Sequence, residues 1–119
     1  QGYDTSIEAI ARWRGIKAAY FLQAVPAYGK TLTNEEKRNA GDLSYGPLYR
    51  RVVADMVKLR EQGLAIYDLG GIFENEKGRI YVDDAHCLIE ADGSSRGYSI
   101  MAQRIGEHLA EAWGLQRKP

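Results

Sequence analysis

The stretch PLYRRVVADMVKLREQGLAIYDLGG, residues 47–71, decides the fold of this chain. It begins with a proline, which suits the first turn of a helix, and then places apolar residues along one helical face. These residues are Leu48, Val52, Val53, Met56 and Leu59. Residues 64–69 follow as a short apolar run between Gly63 and a glycine pair, a pattern typical of a buried strand. The stretch therefore predicts a helix over 47–62 that leads directly into a β-strand.

A second apolar run lies upstream of this helix. Residues 16–25, IKAAYFLQAV, are mostly apolar and end at Pro26, which cannot continue a central strand. Two strands joined by a helix form a crossover unit, in which the strands are parallel and the connection is right-handed. The predicted fold class is therefore α/β, with a short parallel sheet flanked by helices.

Caps and periodicity indicate three further helical segments, near residues 5–14, 33–39 and 97–113. The first two begin with a capping box, in which Thr5 is followed by Glu8 and Thr33 by Glu36. The middle segment is too polar for a core element, so we expect an exposed turn there. The last segment is amphipathic, and Gly114 is its expected stop.

Composition limits the classes of partner. The 119 residues fit a single domain, expected over residues 3–119 after a two-residue tag remnant, Gln1–Gly2. Sixteen basic and sixteen acidic residues cancel, so neither nucleic acid nor a membrane surface is an expected partner. No apolar run in the sequence is long enough for a membrane span, and the single cysteine excludes an internal disulfide. We therefore expect a cytoplasmic protein.

The stretch RIYVDDAHCLIEADG, residues 79–93, holds the candidate site. Asp83 and His86 are three residues apart after a short β-like run. The carboxylate can therefore fold back, accept a hydrogen bond from one ring nitrogen and fix the tautomer. The other ring nitrogen would then be free to act as a general base. The structural alternative is a turn capped by Asp83 and Asp84, with His86 half-buried.

The order of elements around this stretch resembles the C-terminal portion of SGNH (GDSL-type) hydrolases. The matching pieces are a strand that closes in a proline-containing loop (20–26), a long helix (47–62), a strand ending in Asp-Leu (66–69), a Tyr-Val-Asp-Asp-x-His block (81–86) and a final helix (97–109). The resemblance implies a flavodoxin-like three-layer architecture and no cofactor. It also implies that His86 is the catalytic base, that Asp83 orients it, and that Asp84 occupies a less constrained position.

Several blocks of that family are missing. The Gly-Asp-Ser nucleophile block, a later oxyanion-hole glycine and the Gly-x-Asn block belong to an N-terminal portion that this sequence lacks, and the segment 91–97 departs from the family by its length. Ser44 belongs to the sequence Gly-Asp-Leu-Ser (41–44), which resembles the Gly-Asp-Ser block of the family. The serine is one residue later than in that block, and no predicted strand leads into it. Ser94, Ser95 and Ser99 lie close to His86 in sequence, and a turn and the cap of the last helix are expected for the segment 92–95, which holds the first two.

Three other groups have simple interpretations. Cys87 adjoins His86 and points to the opposite face of an extended segment, so we expect it to be a small buried hydrophobe. His108 lies beside Glu107 and Glu111 and is expected to be solvated or weakly paired. The acidic residues around His86 have no metal-ligand spacing, so no metal site is expected.

Two functions follow from these observations. The first is a stand-alone, truncated SGNH-hydrolase-like domain without esterase activity by itself, acting as an oligomeric or binding module. The second is a hydrolase of esters, acyl groups or glycan acetyl groups whose site is completed by oligomerisation or by a partner chain, with His86 as general base. The strand of residues 16–25 has an open edge in this architecture, which predicts a homodimer or a higher homo-oligomer.

Overall fold

The computed structural model describes residues 2–115, with side chains from Ser6 onward. In chain order its elements are α1 (Gly2–Trp13), β1 (Tyr20–Leu22), α2 (Asn34–Asn39), α3 (Gly46–Glu61), β2 (Ile66–Asp68) and α4 (Arg96–Trp113). The predicted α/β class is confirmed, as are the helices apart from their ends. The predicted cap at Thr5 involves a side chain outside the described residues, and α1 already begins at Gly2. None of the described helices is long and apolar enough to cross a membrane.

The sheet consists of β1 and β2, which pair in parallel as predicted, with Tyr20 opposite Ile66 and Leu22 opposite Asp68. Each strand has only three residues, so the strands expected over 16–25 and 64–69 are too long.

Local hydrogen bonds explain why the ladder is short. On one side of it, the N–H of Leu64 still donates to the helical carbonyl of Leu59 (3.2 Å). On the other side, Asp68 Oδ1 accepts a hydrogen bond from the N–H of Gly70 (2.7 Å), which turns the chain away from the sheet. Ala65 and Leu69, which flank β2, still bond to β1, and the backbone N–H groups one residue further out, at Leu64 and Gly70, are engaged elsewhere.

Side chains alternate across this small sheet and meet a helix on each face. On one face, residues of α3 and the sheet form a buried cluster of Met56, Leu59, Leu64 and Ile66, with Tyr20 and Leu22 packed against it. On the other face, a larger cluster of Ala24, Leu69, Ile72, Phe73, Ile80, Tyr81 and Cys87 takes up Phe21 of β1 and Met101 and Ile105 of α4. The sheet is therefore the centre of two small cores rather than one large one.

Much apolar surface remains uncovered. The predicted apolar stripe of α3 is only half buried, because Leu48 and Val52 are exposed while Met56 and Leu59 are not. Trp13 of α1 is 78% exposed. The radius of gyration is 16.0 Å, against about 13.5 Å for a compact chain of this length. The elements thus present apolar faces that no described residue covers.

The polar segment after Thr33 is helical and partly buried. Thr33 Oγ1 accepts from the N–H of Glu36 (3.1 Å), and the Glu36 carboxylate accepts from the N–H of Thr33 (2.9 Å), which confirms the predicted capping box. The expectation of an exposed turn is wrong for Glu36, which is 1% exposed. Burial is possible because the Lys30 ammonium lies 2.7 Å from its carboxylate.

Helix α4 begins and ends as its sequence predicts. Ser95 is the N-cap and accepts a hydrogen bond from the N–H of Tyr98 (3.3 Å), and Gly114 ends the helix with a left-handed backbone (φ 64°). The first turn of α4 lies directly on the segment that carries the candidate site. A Cβ atom at Gly97 would lie 2.6 Å from Cys87 Sγ and 2.9 Å from Ile80 Cγ2.

We expect two glycine substitutions in α4 to have opposite effects on stability. Gly97→Ala should destabilise the fold by about 1–3 kcal/mol, because the new methyl group overlaps side chains packed beneath the helix. Gly106→Ala should stabilise it by about 0.5–1 kcal/mol, because alanine favours a helix and no atom lies within 4 Å of the position of the new Cβ. Chemical denaturation of both variants tests this. Equal effects of the two substitutions would contradict the contact of α4 with Cys87.

Candidate functional site

Residues 80–88 form a tight hairpin that carries the candidate site. The N–H of Val82 donates to the carbonyl of His86 (2.9 Å), and the N–H of Leu88 donates to the carbonyl of Ile80 (2.7 Å). The predicted β-like run before Asp83 is therefore one side of this hairpin, with a single antiparallel bridge to Cys87, rather than a strand of the sheet.

Asp83 and His86 pair at the tip of this hairpin, as predicted. Asp83 Oδ1 accepts hydrogen bonds from the backbone N–H groups of Ala85 (2.9 Å) and His86 (2.7 Å). His86 Nδ1 lies 2.9 Å from Asp83 Oδ2. The backbone donors of Ala85 and His86, followed by the His86 side chain, lower the pKa of Asp83 to about 2. Because an ionised carboxylate can only accept, Nδ1 carries the proton and the lone pair of neutral His86 is on Nε2.

A side chain that follows β1 places the hairpin at the carboxyl end of the sheet. Gln23 Nε2 donates to the carbonyl of Ala85 (2.6 Å), and the carbonyl of Gln23 accepts a hydrogen bond from the Tyr49 hydroxyl. Ligand sites of open α/β sheets lie at this end of the strands. Sequence reasoning did not identify Gln23, because a lone glutamine at the end of an apolar run carries no local signal.

The His86 ring is open to solvent. Its side chain is 66% exposed, and no described residue is hydrogen-bonded to Nε2. The structure thus presents a nitrogen that can take up a proton. It brings no hydroxyl or thiol of the described residues into hydrogen-bonding contact with that nitrogen.

Ser94 and Ser95 have the turn and cap roles predicted for them, and Ser99 lies within α4. Ser94 donates to Asp92 Oδ1 through its N–H (2.9 Å) and its hydroxyl (2.6 Å), and Ser95 Oγ donates to the carbonyl of Leu88 (2.7 Å) while capping α4. Ser44 lies in a turn in which its N–H donates to Asp42 Oδ1 (2.8 Å). These contacts are turn and cap contacts, not those of a nucleophile with its base.

Cys87 is buried, as predicted, and burial raises the pKa of its thiol to about 11. At neutral pH the thiol is therefore protonated and covered by α4. The described part of the chain contains no group of three or more side chains that could hold a metal ion.

His108 is half-buried rather than solvated, and its interaction with Glu107 and Glu111 is weaker than the effect of its burial. Its ring stacks on Tyr67 of β2, with ring centroids 4.2 Å apart and an interplanar angle of 20°, and it also lies near Phe21. Burial and the nearby Arg104 lower the pKa of His108. His108 thus contributes to the packing of α4 on the sheet. The sequence did not indicate this contact, because the glutamates on either side of His108 are typical of an exposed helix face.

Comparisons with protein-family models, with curated proteins and with solved structures found no match for this chain. Its functional interpretation therefore depends on the residues and geometry described above.

The Asp83 carboxyl should titrate near pH 2 in the folded protein. Because this pKa is below its ordinary value of 3.8, the stabilisation from this turn is present above about pH 4 and is lost as the pH falls toward 2. Carbon-detected NMR measures the titration directly. In His86→Ala the pKa should remain below 3.8, because both backbone donors are retained. A value of 3.8 in the folded wild type would contradict the hydrogen-bonded turn.

Proposed function

We propose that this chain is an SGNH-hydrolase-like domain that carries the general-base half of a hydrolytic site and does not hydrolyse esters by itself. The observation that supports this proposal is the pairing of Asp83 with His86 on an exposed hairpin at the carboxyl end of a parallel sheet. A three-layer, flavodoxin-like arrangement of the complete domain accords with helices on both faces of this sheet.

The proposed chemistry is that of a serine hydrolase. His86 Nε2 takes the proton of a serine hydroxyl as it attacks an ester carbonyl, and later gives it to the leaving alcohol. Asp83 stabilises the imidazolium that forms and keeps Nδ1 protonated throughout. The serine and the donors for the oxyanion come from another polypeptide segment.

The edge of β1 is the proposed route of assembly. Tyr20 donates its N–H to Ala65 (2.8 Å) and Leu22 accepts from Leu69 (2.9 Å), so these two residues direct their backbone groups toward β2. By the alternation of a parallel ladder, Ala19 and Phe21 direct theirs away from it. A strand can therefore add at this edge, and we propose that a second copy of the chain does so. The net charge of zero means that two copies do not repel one another strongly.

A second candidate function follows from the same observations. If assembly brings a serine to His86, the oligomer itself is an esterase or acyl hydrolase that acts on esters, acyl groups or glycan acetyl groups. The exposure of the His86 side chain favours this possibility, because it leaves the imidazole accessible to an incoming hydroxyl.

We expect the isolated protein to show no turnover of phenyl acetate that depends on His86. A fusion to the N-terminal portion of an SGNH hydrolase, with its Gly-Asp-Ser block, should gain such turnover. In the fusion, His86→Ala should lower kcat by about 10²–10⁴-fold, since that is the usual contribution of a general base. Asp83→Asn should also lower kcat, whereas the matched change Asp84→Asn should not.

Two outcomes of this assay would change the proposal. A fusion that melts cooperatively but shows no effect of His86→Ala would contradict the role of His86 as a base. Turnover by the isolated chain that is lost in His86→Ala would support the second candidate instead.

Sedimentation velocity at micromolar concentration should show a dimer or a larger closed oligomer. Ala19→Pro should shift the protein toward monomer, because proline removes an outward N–H from the β1 edge without removing a bond to β2. Ala19→Gly keeps this N–H and is the matched control. A wild-type monomer, or an oligomer that is insensitive to Ala19→Pro, would contradict assembly through this edge.

A further inference from the structure

A buried ion pair holds the backbone just before the hairpin of residues 80–88. The side chains of Lys30 and Glu36 are 1% and 0% exposed, and their charged groups lie 2.7 Å apart. Glu36 Oε2 accepts hydrogen bonds from the N–H groups of Ile80 (3.1 Å) and Tyr81 (3.0 Å), while Lys30 Nζ donates to the carbonyl of Gly78 (2.9 Å). One ion pair thus fixes three of the four consecutive backbone positions from 78 to 81.

Two of these anchored residues, Ile80 and Tyr81, are also the first two residues of the hairpin. The carbonyl of Ile80 accepts from the N–H of Leu88 (2.7 Å), and Tyr81 forms the bridge to Cys87. Beyond them the chain reaches the Asp83 turn, which holds His86. The orientation of the imidazole relative to the sheet therefore depends on where Glu36 holds the first side of the hairpin.

Stability alone does not explain this choice of residues. Replacing a buried ion pair by apolar side chains of similar volume is often neutral or stabilising. An apolar side chain at position 36 would, however, leave the N–H groups of Ile80 and Tyr81 without acceptors, and only an oxygen can fix them in direction. The carboxylate supplies what the hairpin requires, and the ammonium allows the carboxylate to be buried.

We propose that Lys30 and Glu36 are positioning residues for His86: they set the hairpin in the orientation that presents Nε2 to an incoming hydroxyl. This inference rests on the proposed function in one respect, namely that presentation of Nε2 serves hydrolysis. The positional effect itself does not depend on any reaction.

Two double variants separate the positioning role from general stability. Lys30→Met/Glu36→Gln removes both charges but keeps an amide oxygen that can accept from Ile80 and Tyr81. Lys30→Met/Glu36→Leu removes both charges and the acceptor as well. The two variants are equal in charge and similar in volume, so they differ mainly in the acceptor at position 36.

Amide hydrogen exchange of Ile80 and Tyr81 is the first measurement, made on folded protein. In the glutamine variant we expect exchange rates within about threefold of the wild type, and in the leucine variant rates at least about tenfold faster, as for a segment that opens locally. The second measurement is the NOE between the side-chain amide of Gln23 and Ala85, whose carbonyl oxygen lies 2.6 Å from Gln23 Nε2. This NOE should persist in the glutamine variant and weaken in the leucine variant, because the hairpin tip then loses its place beside the sheet. If the leucine variant does not fold, Glu36→Asp, which withdraws the carboxylate by one methylene, takes its place with the same expectation.

The fusion to the N-terminal portion of an SGNH hydrolase adds a kinetic measurement, namely kcat at little-changed KM, that a purely structural role would not affect. Its kcat should fall at least about tenfold in the leucine variant and recover in the glutamine variant, with KM little changed, because alignment of the base acts on the chemical step. Unchanged exchange and an unchanged NOE between Gln23 and Ala85 in a folded leucine variant would overturn the positioning role. If the exchange and NOE effects appear while the fusion shows no dependence on His86, positioning stands and the proposed function fails.

Discussion

Glu36 is a fully buried carboxylate that accepts hydrogen bonds from Lys30, Thr33, Ile80 and Tyr81. A buried charge is tolerated only when it is paired and its oxygen atoms are satisfied, and this one meets both conditions. Its donors come from three separate parts of the chain: the loop after β1, the start of α2 and the hairpin. Removing one partner of such a pair typically costs about 3–5 kcal/mol, because the other charge is left buried. This polar contact therefore holds the first side of the hairpin, in addition to the packing of Ile80, Tyr81 and Cys87 in the larger cluster.

The position of Lys30 is itself fixed by a close approach of two backbone segments. Gly29 has a positive φ of 88°, and a Cβ at this position would lie 2.2 Å from the carbonyl oxygen of Gly70. Only glycine allows the loop after β1 to touch the turn after β2 in this way. Beside this contact, Tyr28 stacks on Tyr49 of α3, with ring centroids 4.7 Å apart. The loop that carries Lys30 is thus held against the end of the sheet by contacts that do not involve the ion pair.

The sequence was most informative where the signal is local. The parallel pairing followed from two apolar runs around a helix, and the pairing of Asp83 with His86 followed from their spacing in a turn. The burial of Glu36 could not be predicted in this way, because its partners lie six residues before it and more than forty residues after it, and a glutamate in a charged segment is usually solvated. The stacking of His108 could not be predicted for the same reason: the ring on which it stacks, Tyr67, is distant in sequence. Strand lengths were overestimated because apolar composition does not show where a neighbouring strand stops.

Helix α4 packs over Cys87, which is the only cysteine of the sequence. The reactivity of this thiol therefore reports the separation of α4 from the hairpin. A thiolate is the species that reacts with alkylating reagents, and here the thiol is both protonated at neutral pH and shielded by Gly97. Alkylation of Cys87 therefore requires that the first turn of α4 first separates from the hairpin. When that separation is fast relative to modification, the labelling rate gives the free energy of this local opening, and when it is slow, the rate gives its frequency. A single cysteine thus allows the dynamics of the hairpin to be measured in the natural sequence, without an introduced probe.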